Sequence, residues 1–111
     1  LERLLDALPR GEDAVTVFLG DALDRGPDVA GTVRRLLAEH DAAPERTVLL
    51  WGNHEDLAAS HLGHPDAPRA FDYDPGIWLR NGARETMGSY GQTALRGILT
   101  PCPAELARYF G

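Results

Sequence analysis

The stretch "VFLGDALDRGPD" (Val17–Asp28) changes abruptly from apolar residues to a cluster of charged residues and glycines. Its apolar part belongs to a β-branched run that predicts a strand over Ala14–Leu19, covered on both faces as in a parallel sheet. A second stretch, "VLLWGNHEDL" (Val48–Leu57), repeats the arrangement, and its apolar part predicts a strand over Thr47–Trp51. The sequence therefore places a polar cluster directly after each of two predicted strands.

The segment between the two strands has the pattern of an amphipathic helix. Pro27 and Asp28 are suited to the start of this helix, which we expect to run to about His40. Its apolar stripe consists of Val29, Val33, Leu36 and Leu37. A strand, a helix and a second strand form the βαβ unit of a parallel sheet, so the predicted fold class is α/β. Ligands of such sheets bind beyond the carboxyl ends of the strands, where both polar clusters lie.

The rest of the chain is predicted to consist of short helices and loops. Apolar residues line one face of a helix over Leu1–Leu8, and further helices are predicted over residues 56–62 and from residue 103 onwards. A loop rich in Pro and Asp covers residues 63–76. The segment from Ile77 to Gly91 has helical propensity that Gly82 and Gly88 are expected to interrupt.

The composition restricts the class of protein. With 111 residues, 43% of them hydrophobic, the chain is long enough for one domain with a modest core. The net charge of -6 argues against a general nucleic-acid binder, which needs a basic surface. No apolar run reaches the roughly 20 residues of a membrane span, and no signal-peptide pattern opens the chain. A single cysteine, Cys102, fits a reducing compartment, so we expect a cytoplasmic protein. We expect it to contact neither nucleic acid nor membrane. The sequence does not indicate its oligomeric state.

Three residues of the two clusters have side chains suited to metal and phosphate binding. Asp21 follows a glycine at the end of its strand, and one carboxylate can bridge two divalent cations about 3.5–4 Å apart. Asn53 occupies the equivalent place after the second strand and offers a neutral amide oxygen. Arg25 presents a planar fork of donors that fits two oxygens of one phosphate.

His54 and Asp24 have the residue types of an acid catalyst and its partner. An imidazole beside a bound phosphate is suited to protonating a leaving group, and a nearby carboxylate would orient the ring and favour its charged form. Each cluster taken alone also fits a purely structural interpretation, with Asp24 and Arg25 in a capped turn and Asn53 as the N-cap of a helix. The coincidence of two such clusters after two adjacent strands favours chemistry.

Three stretches resemble the calcineurin-like metallophosphoesterases. "GDALDRGPD" matches their GDxxDRG motif, and "GNHE" matches the block that follows it. "WLRNGARETMGSYG" is similar to a stretch common in the bacterial branch of serine/threonine phosphoprotein phosphatases, with Ala83 in place of a second glycine. The resemblance implies a β-sandwich flanked by helices, of which the βαβ unit carries the motifs.

The resemblance also implies an activity and a role for each residue. It implies hydrolysis of phosphomonoesters by two-metal activation of water, with manganese, iron or zinc as the divalent ions. Asp21 would be the bridging metal ligand, Asn53 a ligand of the second metal and Arg25 the phosphate clamp. His54 would be the general acid, oriented by Asp24. The substrate would be a phosphorylated protein or a small phosphoester.

The chain also departs from the pattern of this family. The Asp-x-His block that precedes the first helix and the two later metal-binding histidines are not present, and Trp51 replaces a frequent arginine. We therefore expect residues 1–111 to be part of a metallophosphoesterase domain, truncated at both ends. Two alternatives to a protein phosphatase stay open: a symmetrical diadenosine tetraphosphate hydrolase, whose relatives share both motifs, and a non-catalytic phosphate- or partner-binding fragment.

The remaining polar residues are expected to be structural or peripheral. His61 and His64 are predicted to be solvated loop residues, and His40 to interact favourably with the carboxyl end of its helix. Asp72 and Asp74 lack the spacing of a calcium loop and favour turns. Three further residues fit contact with substrate phosphate or a surface role about equally: Arg80, Asn81 and Arg84.

Overall fold

A computed structural model describes residues 1–65, 67, 76–92 and 102–111. Its elements, in chain order, are α1 (Glu2–Ala7), β1 (Thr16–Phe18), α2 (Val29–Ala42), β2 (Thr47–Leu49), α3 (Asn53–His61), α4 (Gly76–Arg80), α5 (Ala83–Ser89) and α6 (Ala104–Phe110). β1 and β2 pair in parallel, with Val17 opposite Val48, and α2 connects them. The predicted βαβ unit of an α/β protein is confirmed, whereas the β-sandwich and the partial domain stay predictions.

Helix α2 begins and packs as its sequence predicts. Asp28 is the N-cap, and its side chain accepts a hydrogen bond of 2.9 Å from the Gly31 amide. Such a cap satisfies an amide that has no partner within the helix. The four residues of the predicted apolar stripe are all buried: Val29, Val33, Leu36 and Leu37. The helix therefore lies with one face against the core, and it ends at Ala42, two residues beyond the predicted end.

The core lies between α2 and the helices that follow the sheet. Met87 of α5 and Leu106 of α6 are completely buried, and both of these helices pack against α2. Burying a side chain of this size contributes about 1.5–3 kcal/mol to folding. The sheet is fixed to this helical layer through Phe18 and Leu49, which are half-buried against the core.

The opposite face of the sheet corrects the prediction of strands covered on both faces. Val17 and Val48 are 46% and 41% exposed, and they lie side by side on that face. Their neighbours along the strands, Val15, Leu19 and Leu50, are exposed as well. Side chains alternate between the two faces of a strand, and in the described part of the chain one face alone is covered by the helical layer. The prediction was wrong because an uninterrupted apolar run does not say which face has a neighbour.

Four smaller predictions also need correction. In α1 the predicted apolar face is mostly exposed, because only Leu5 is buried. Helix α3 starts at Asn53 rather than at residue 56, with Gly52 as its N-cap, so the alternative of Asn53 as N-cap is wrong as well. Gly82 separates α4 from α5 with φ +111°, but Gly88 lies inside α5 and does not interrupt it.

Two predictions concern the other segments. The helix predicted from residue 103 is confirmed as α6. The loop over residues 63–76, with Asp72 and Asp74, lies largely outside the described residues. Among the helices that the structure does describe, none has the length and apolar character needed to cross a membrane.

Candidate functional site

The two polar clusters meet where β1 and β2 end. Gly20 and Gly52 make the contact, because a Cβ added to Gly20 would lie 2.2 Å from the Gly52 nitrogen. A Cβ added to Gly52 would lie 2.2 Å from Oδ1 of Asp21. The same oxygen accepts a hydrogen bond of 3.2 Å from the backbone amide of His54. The absence of side chains at the two glycines therefore allows the loops to touch, as the predicted placement at neighbouring strand ends requires.

Asp24 lies at the centre of the site and is 1% exposed. Its Oδ2 atom is 2.8 Å from Nδ1 of His54, and its Oδ1 atom accepts a hydrogen bond of 2.7 Å from the Thr86 hydroxyl. The indole N–H of Trp78 donates to both carboxylate oxygens at 2.9 Å. Burial raises the pKa of Asp24, and the hydrogen bonds from Thr86, His54 and Trp78 oppose that rise. The carboxylate is thus fixed in one orientation by three side chains.

The imidazole of His54 is oriented by this carboxylate. Its side chain is 14% exposed and sits at the start of α3, with Nδ1 toward Asp24. In the neutral ring, a proton on Nδ1 that is donated to a carboxylate leaves the lone pair on Nε2. The same ring in its charged form carries a proton on Nε2 that can be donated to a substrate.

Asp21 and Asn53 are exposed at the ends of β1 and β2. Asp21 has φ 58° and Asp24 has φ 71°, which is the left-handed region that costs a non-glycine residue roughly 1–2 kcal/mol. Strained residues of this kind concentrate at functional sites. Within the residues that the structure describes, no group of three or more His, Cys, Asp or Glu side chains is close enough to hold a metal ion.

Arg25 and Asp24 both line an open groove of about 350 Å³, and the acidic residue Glu85 lines it as well. Arg80 and Asn81 line the same groove, whereas Arg84 is not among its lining residues. The Asn81 side-chain amide donates a hydrogen bond of 2.6 Å to the Ile77 carbonyl, so this nitrogen binds a backbone carbonyl of α4. The structure therefore places Arg25 and Arg80 on one groove with Asp24.

Two histidines outside the site, His61 and His64, pack against aromatic rings. The ring of His61 lies 5.0 Å from that of Trp78, and burial lowers the pKa of His61. His64 has Trp51 and Phe110 as ring neighbours at 5.7 and 5.8 Å. The prediction of solvated loop residues was wrong for both, because these aromatic rings half-bury them. His40 lies in the last turn of α2, as predicted.

Glu55 is a buried member of the site to which the sequence analysis gave no role. It is 0% exposed, and its Oε2 accepts hydrogen bonds from the amides of Asp21 (2.7 Å) and Gly52 (2.8 Å). Its Oε1 accepts from the Ala22 amide at 2.8 Å and the Tyr109 hydroxyl at 3.2 Å. A glutamate at the third position of a helix often binds the N-cap amide, so the bond to Gly52 had a sequence signal. The other three bonds join residues 33 to 54 positions apart and had none.

Trp78 and Thr86 were quoted within a motif but were also given no role. They lie 54 and 62 positions from Asp24, and both are buried. A buried indole N–H and a buried hydroxyl need hydrogen-bond partners, which is the signal that could have marked them as neighbours of a polar group.

Comparison with known proteins adds one finding. A family model described as calcineurin-like phosphoesterase matches residues 1–104, which is nearly the whole chain. The match includes both polar clusters, Glu55, Trp78 and Thr86. Neither a curated protein nor a solved structure matches the chain.

Proposed function

We propose that the chain, which belongs to the calcineurin-like phosphoesterase family, acts as a serine/threonine protein phosphatase. The members of this family are metal-dependent hydrolases of phosphoesters. The observation that carries the proposal is the 2.8 Å contact between Asp24 and His54 at the edge of the sheet where Asp21 and Asn53 are exposed. It supports an acid catalyst, its orienting partner and two oxygen ligands within one site.

Asp21 and Asn53 fit divalent metal ions in the kind of donor they offer. A carboxylate and an amide oxygen suit manganese, iron and zinc, and their exposure leaves both side chains available. Gly52 supports the fit, because a side chain there would collide with the Asp21 carboxylate. We propose two ions, with Asp21 as the shared ligand. The chemistry that such ions supply when bound is activation of water and neutralisation of charge on the phosphoryl group.

His54 is proposed to protonate the oxygen that leaves phosphorus. The Asp24 carboxylate accepts a hydrogen bond from the Nδ1–H of the ring, so Nε2 is the nitrogen that carries the transferable proton. Because Trp78 and Thr86 hold the Asp24 carboxylate, the ring has one preferred orientation. General acid catalysis of this kind contributes about 10²–10⁴-fold to a rate.

Arg25 is proposed to bind the phosphoryl oxygens. It is exposed on the groove next to Asp24, and its guanidinium can donate two parallel hydrogen bonds to one phosphate. Arg80 lines the same groove, which supports an extended substrate such as a phosphorylated peptide. A small phosphoester would occupy the part of the groove at Arg25.

The test uses the full-length protein, first freed of metal and then supplied with Mn²⁺, Fe²⁺ or Zn²⁺. Hydrolysis is measured with a phosphoserine peptide, p-nitrophenyl phosphate and diadenosine tetraphosphate. We expect the peptide to be the best substrate, whereas a preference for diadenosine tetraphosphate would contradict the protein phosphatase and identify the alternative hydrolase. Absence of metal-dependent hydrolysis of all three would contradict both.

Three variants separate the proposed roles. Asp21→Asn should lose bound metal, Arg25→Ala should keep metal but lose kcat/KM, and His54→Asn should keep metal and lose activity mainly toward the peptide. The reason for the last difference is that p-nitrophenolate leaves without needing a proton. His40→Asn makes the same substitution in the last turn of α2 and serves as the control. Full metal content and activity in Asp21→Asn would show that its assignment is wrong.

A further inference from the structure

We propose that Glu55 is a positioning residue that fixes the separation of Asp21 and Asn53, and that Tyr109 of α6 holds Glu55 in place. The inference rests on the proposed function, because that function makes Asp21 and Asn53 the metal ligands. It adds a role for two buried side chains that touch neither metal nor substrate.

A single oxygen of Glu55 joins the two loops. Oε2 accepts the amide of Asp21 at 2.7 Å from the first loop and the amide of Gly52 at 2.8 Å from the second. Oε1 accepts a second amide of the first loop, that of Ala22, at 2.8 Å. Hydrogen bonds to an ionised acceptor are shorter and stronger than those between neutral groups. One carboxylate therefore bonds to both loops, in addition to the contact at Gly20 and Gly52 and the bond from the His54 amide to Asp21.

The backbone at Asp21 needs this support. Its φ of 58° is unfavourable for a residue with a side chain, and the Glu55 carboxylate binds the amides of Asp21 and of the next residue. That backbone conformation sets the Cα–Cβ direction from which the Asp21 carboxylate extends. Asn53 belongs to the same first turn of α3 as Glu55. The Glu55 carboxylate therefore links the backbone at Asp21 to the helical turn that carries Asn53.

Tyr109 connects this arrangement to the core. It is 5% exposed, and its hydroxyl donates to Oε1 of Glu55 at 3.2 Å. Burial, followed by the nearby Glu55 charge, raises the pKa of Tyr109, so the hydroxyl keeps its proton. Helix α6 packs against α2. Glu55 is therefore held from a helix that contributes no residue to the proposed chemistry.

The variants are Glu55→Gln, Tyr109→Phe and the control Asp56→Asn, each in the full-length protein. In Glu55→Gln an N–H₂ group replaces one of the oxygens, so at least one loop amide loses its acceptor. Tyr109→Phe removes one donor and keeps the ring. Glu55 and Asp56 are the two acidic residues in the first turn of α3, so Asp56→Asn removes the same charge from the same helix end.

Two measurements on metal-free protein separate positioning from folding. The first is hydrogen exchange of the amides of Asp21, Ala22 and Gly52, and the second is a titration with Mn²⁺. We expect Glu55→Gln to lose protection at these amides and at least about 10-fold in Mn²⁺ affinity, as is typical of residues that orient metal ligands. Tyr109→Phe should lose about threefold in affinity, which is the effect of one hydrogen bond. Asp56→Asn should change neither quantity.

The proposal is overturned by either of two results. One is a folded Glu55→Gln protein with unchanged amide protection and Mn²⁺ affinity, and the other is an equal loss in Asp56→Asn, which would make the effect one of charge. If Glu55→Gln fails to fold, Tyr109→Phe decides: a threefold loss with unchanged thermal stability supports positioning, and no loss overturns it. Failure of the proposed function gives a different pattern. Wild-type protein would then bind Mn²⁺ without hydrolysing a phosphoester, or it would bind no Mn²⁺ at all. In the second case hydrogen exchange of the three amides still tests the role of Glu55.

Discussion

Asp24 and Glu55 are both carboxylates with almost no exposure, but they are satisfied by different kinds of donor. Asp24 contacts three side chains, which belong to His54, Trp78 and Thr86. Glu55 receives three backbone amides and a single side-chain hydroxyl. A carboxylate bound by side chains fixes a ring, whereas a carboxylate bound by amides fixes the path of the chain. Asp24 therefore orients the His54 ring, and Glu55 fixes the backbone of the two loops.

The largest expected effect comes from Asp24→Asn, which tests the carboxylate that is bound by side chains. The amide keeps the shape but presents an N–H₂ group to Trp78, Thr86 or His54, all of which donate to Asp24 in the wild-type protein. We expect kcat to fall about 10²–10⁴-fold with metal content retained. The measurements are peptide hydrolysis and elemental analysis. Asp28→Asn is the control, because Asn caps a helix as well as Asp; an equal fall there, or loss of metal in Asp24→Asn, would contradict this separation of roles.

Gly82→Ala tests whether Asp24 also depends on its own backbone. An added Cβ would lie 2.1 Å from the Asp24 carbonyl oxygen, and the φ of +111° is unfavourable for alanine. We expect a loss of about 3 kcal/mol in the free energy of unfolding, measured by denaturant titration.

Gly88→Ala is the matched control for that variant. Gly88 lies inside α5, the helix whose N-cap is Gly82, and nothing lies within 4 Å of an added Cβ. Alanine there should stabilise the protein by about 0.5–1 kcal/mol because it restricts the unfolded chain. Equal effects of the two substitutions would show that the contact with Asp24 does not matter.

Thr86→Val should have a smaller effect on the same carboxylate. The hydroxyl accepts the Asp24 amide at 2.8 Å and donates to Oδ1 at 2.7 Å, and valine keeps the shape but supplies neither bond. We expect a loss of about 2 kcal/mol in unfolding free energy, because a buried amide is left without a partner. Thr32→Val removes a hydroxyl bonded to the Asp28 carbonyl near the surface of α2 and should change stability by less than about 0.5 kcal/mol. A similar loss in both variants would contradict a special role for Thr86.

A third carboxylate, Glu39, should give the smallest effect. It pairs with Arg10 at 2.6 Å and Arg35 at 2.8 Å, and these hydrogen bonds lower its pKa, that from Arg10 most. A lowered pKa in the folded protein gives stability that is present above the pKa of the unfolded chain and is lost as pH falls through the folded value. Glu39→Gln should therefore lower Tm slightly at neutral pH, and the difference should begin to shrink near the usual glutamate pKa of about 4.3 and vanish only below the lowered pKa of the folded protein. A Tm difference that does not change with pH would show that the pairs contribute no linked stability.

The sequence was sufficient for the parts of the structure that depend on local pattern. Asp28 and the stripe from Val29 to Leu37 specify α2 by capping and periodicity, and both are properties of neighbouring residues. The placement of Asp24 near His54 could be inferred because each follows a strand and the two strands are adjacent. These inferences need one assumption about tertiary structure, namely parallel pairing.

The sequence was not sufficient where a contact is determined by packing. Trp78 and Thr86 reach Asp24 because Gly82 brings α4 and α5 against the first loop, and Glu55 reaches the Asp21 amide because the two loops touch at glycines. No periodicity or cap encodes such contacts. The exposed face of the sheet shows the same limit, because Val17 has the residue type of a buried position but no neighbour among the described residues covers it.

The contact between Trp78 and Asp24 gives the protein an internal optical probe. Indole fluorescence depends on the hydrogen bonding of the N–H, and here that N–H is bonded to the carboxylate that also binds His54. The ring of His61, 5.0 Å away, is a quencher when protonated. Trp51 is the other tryptophan of the chain, so Trp51→Phe leaves one emitter at the centre of the site. Its emission spectrum would report changes in the hydrogen bond to Asp24, without a label and without turnover.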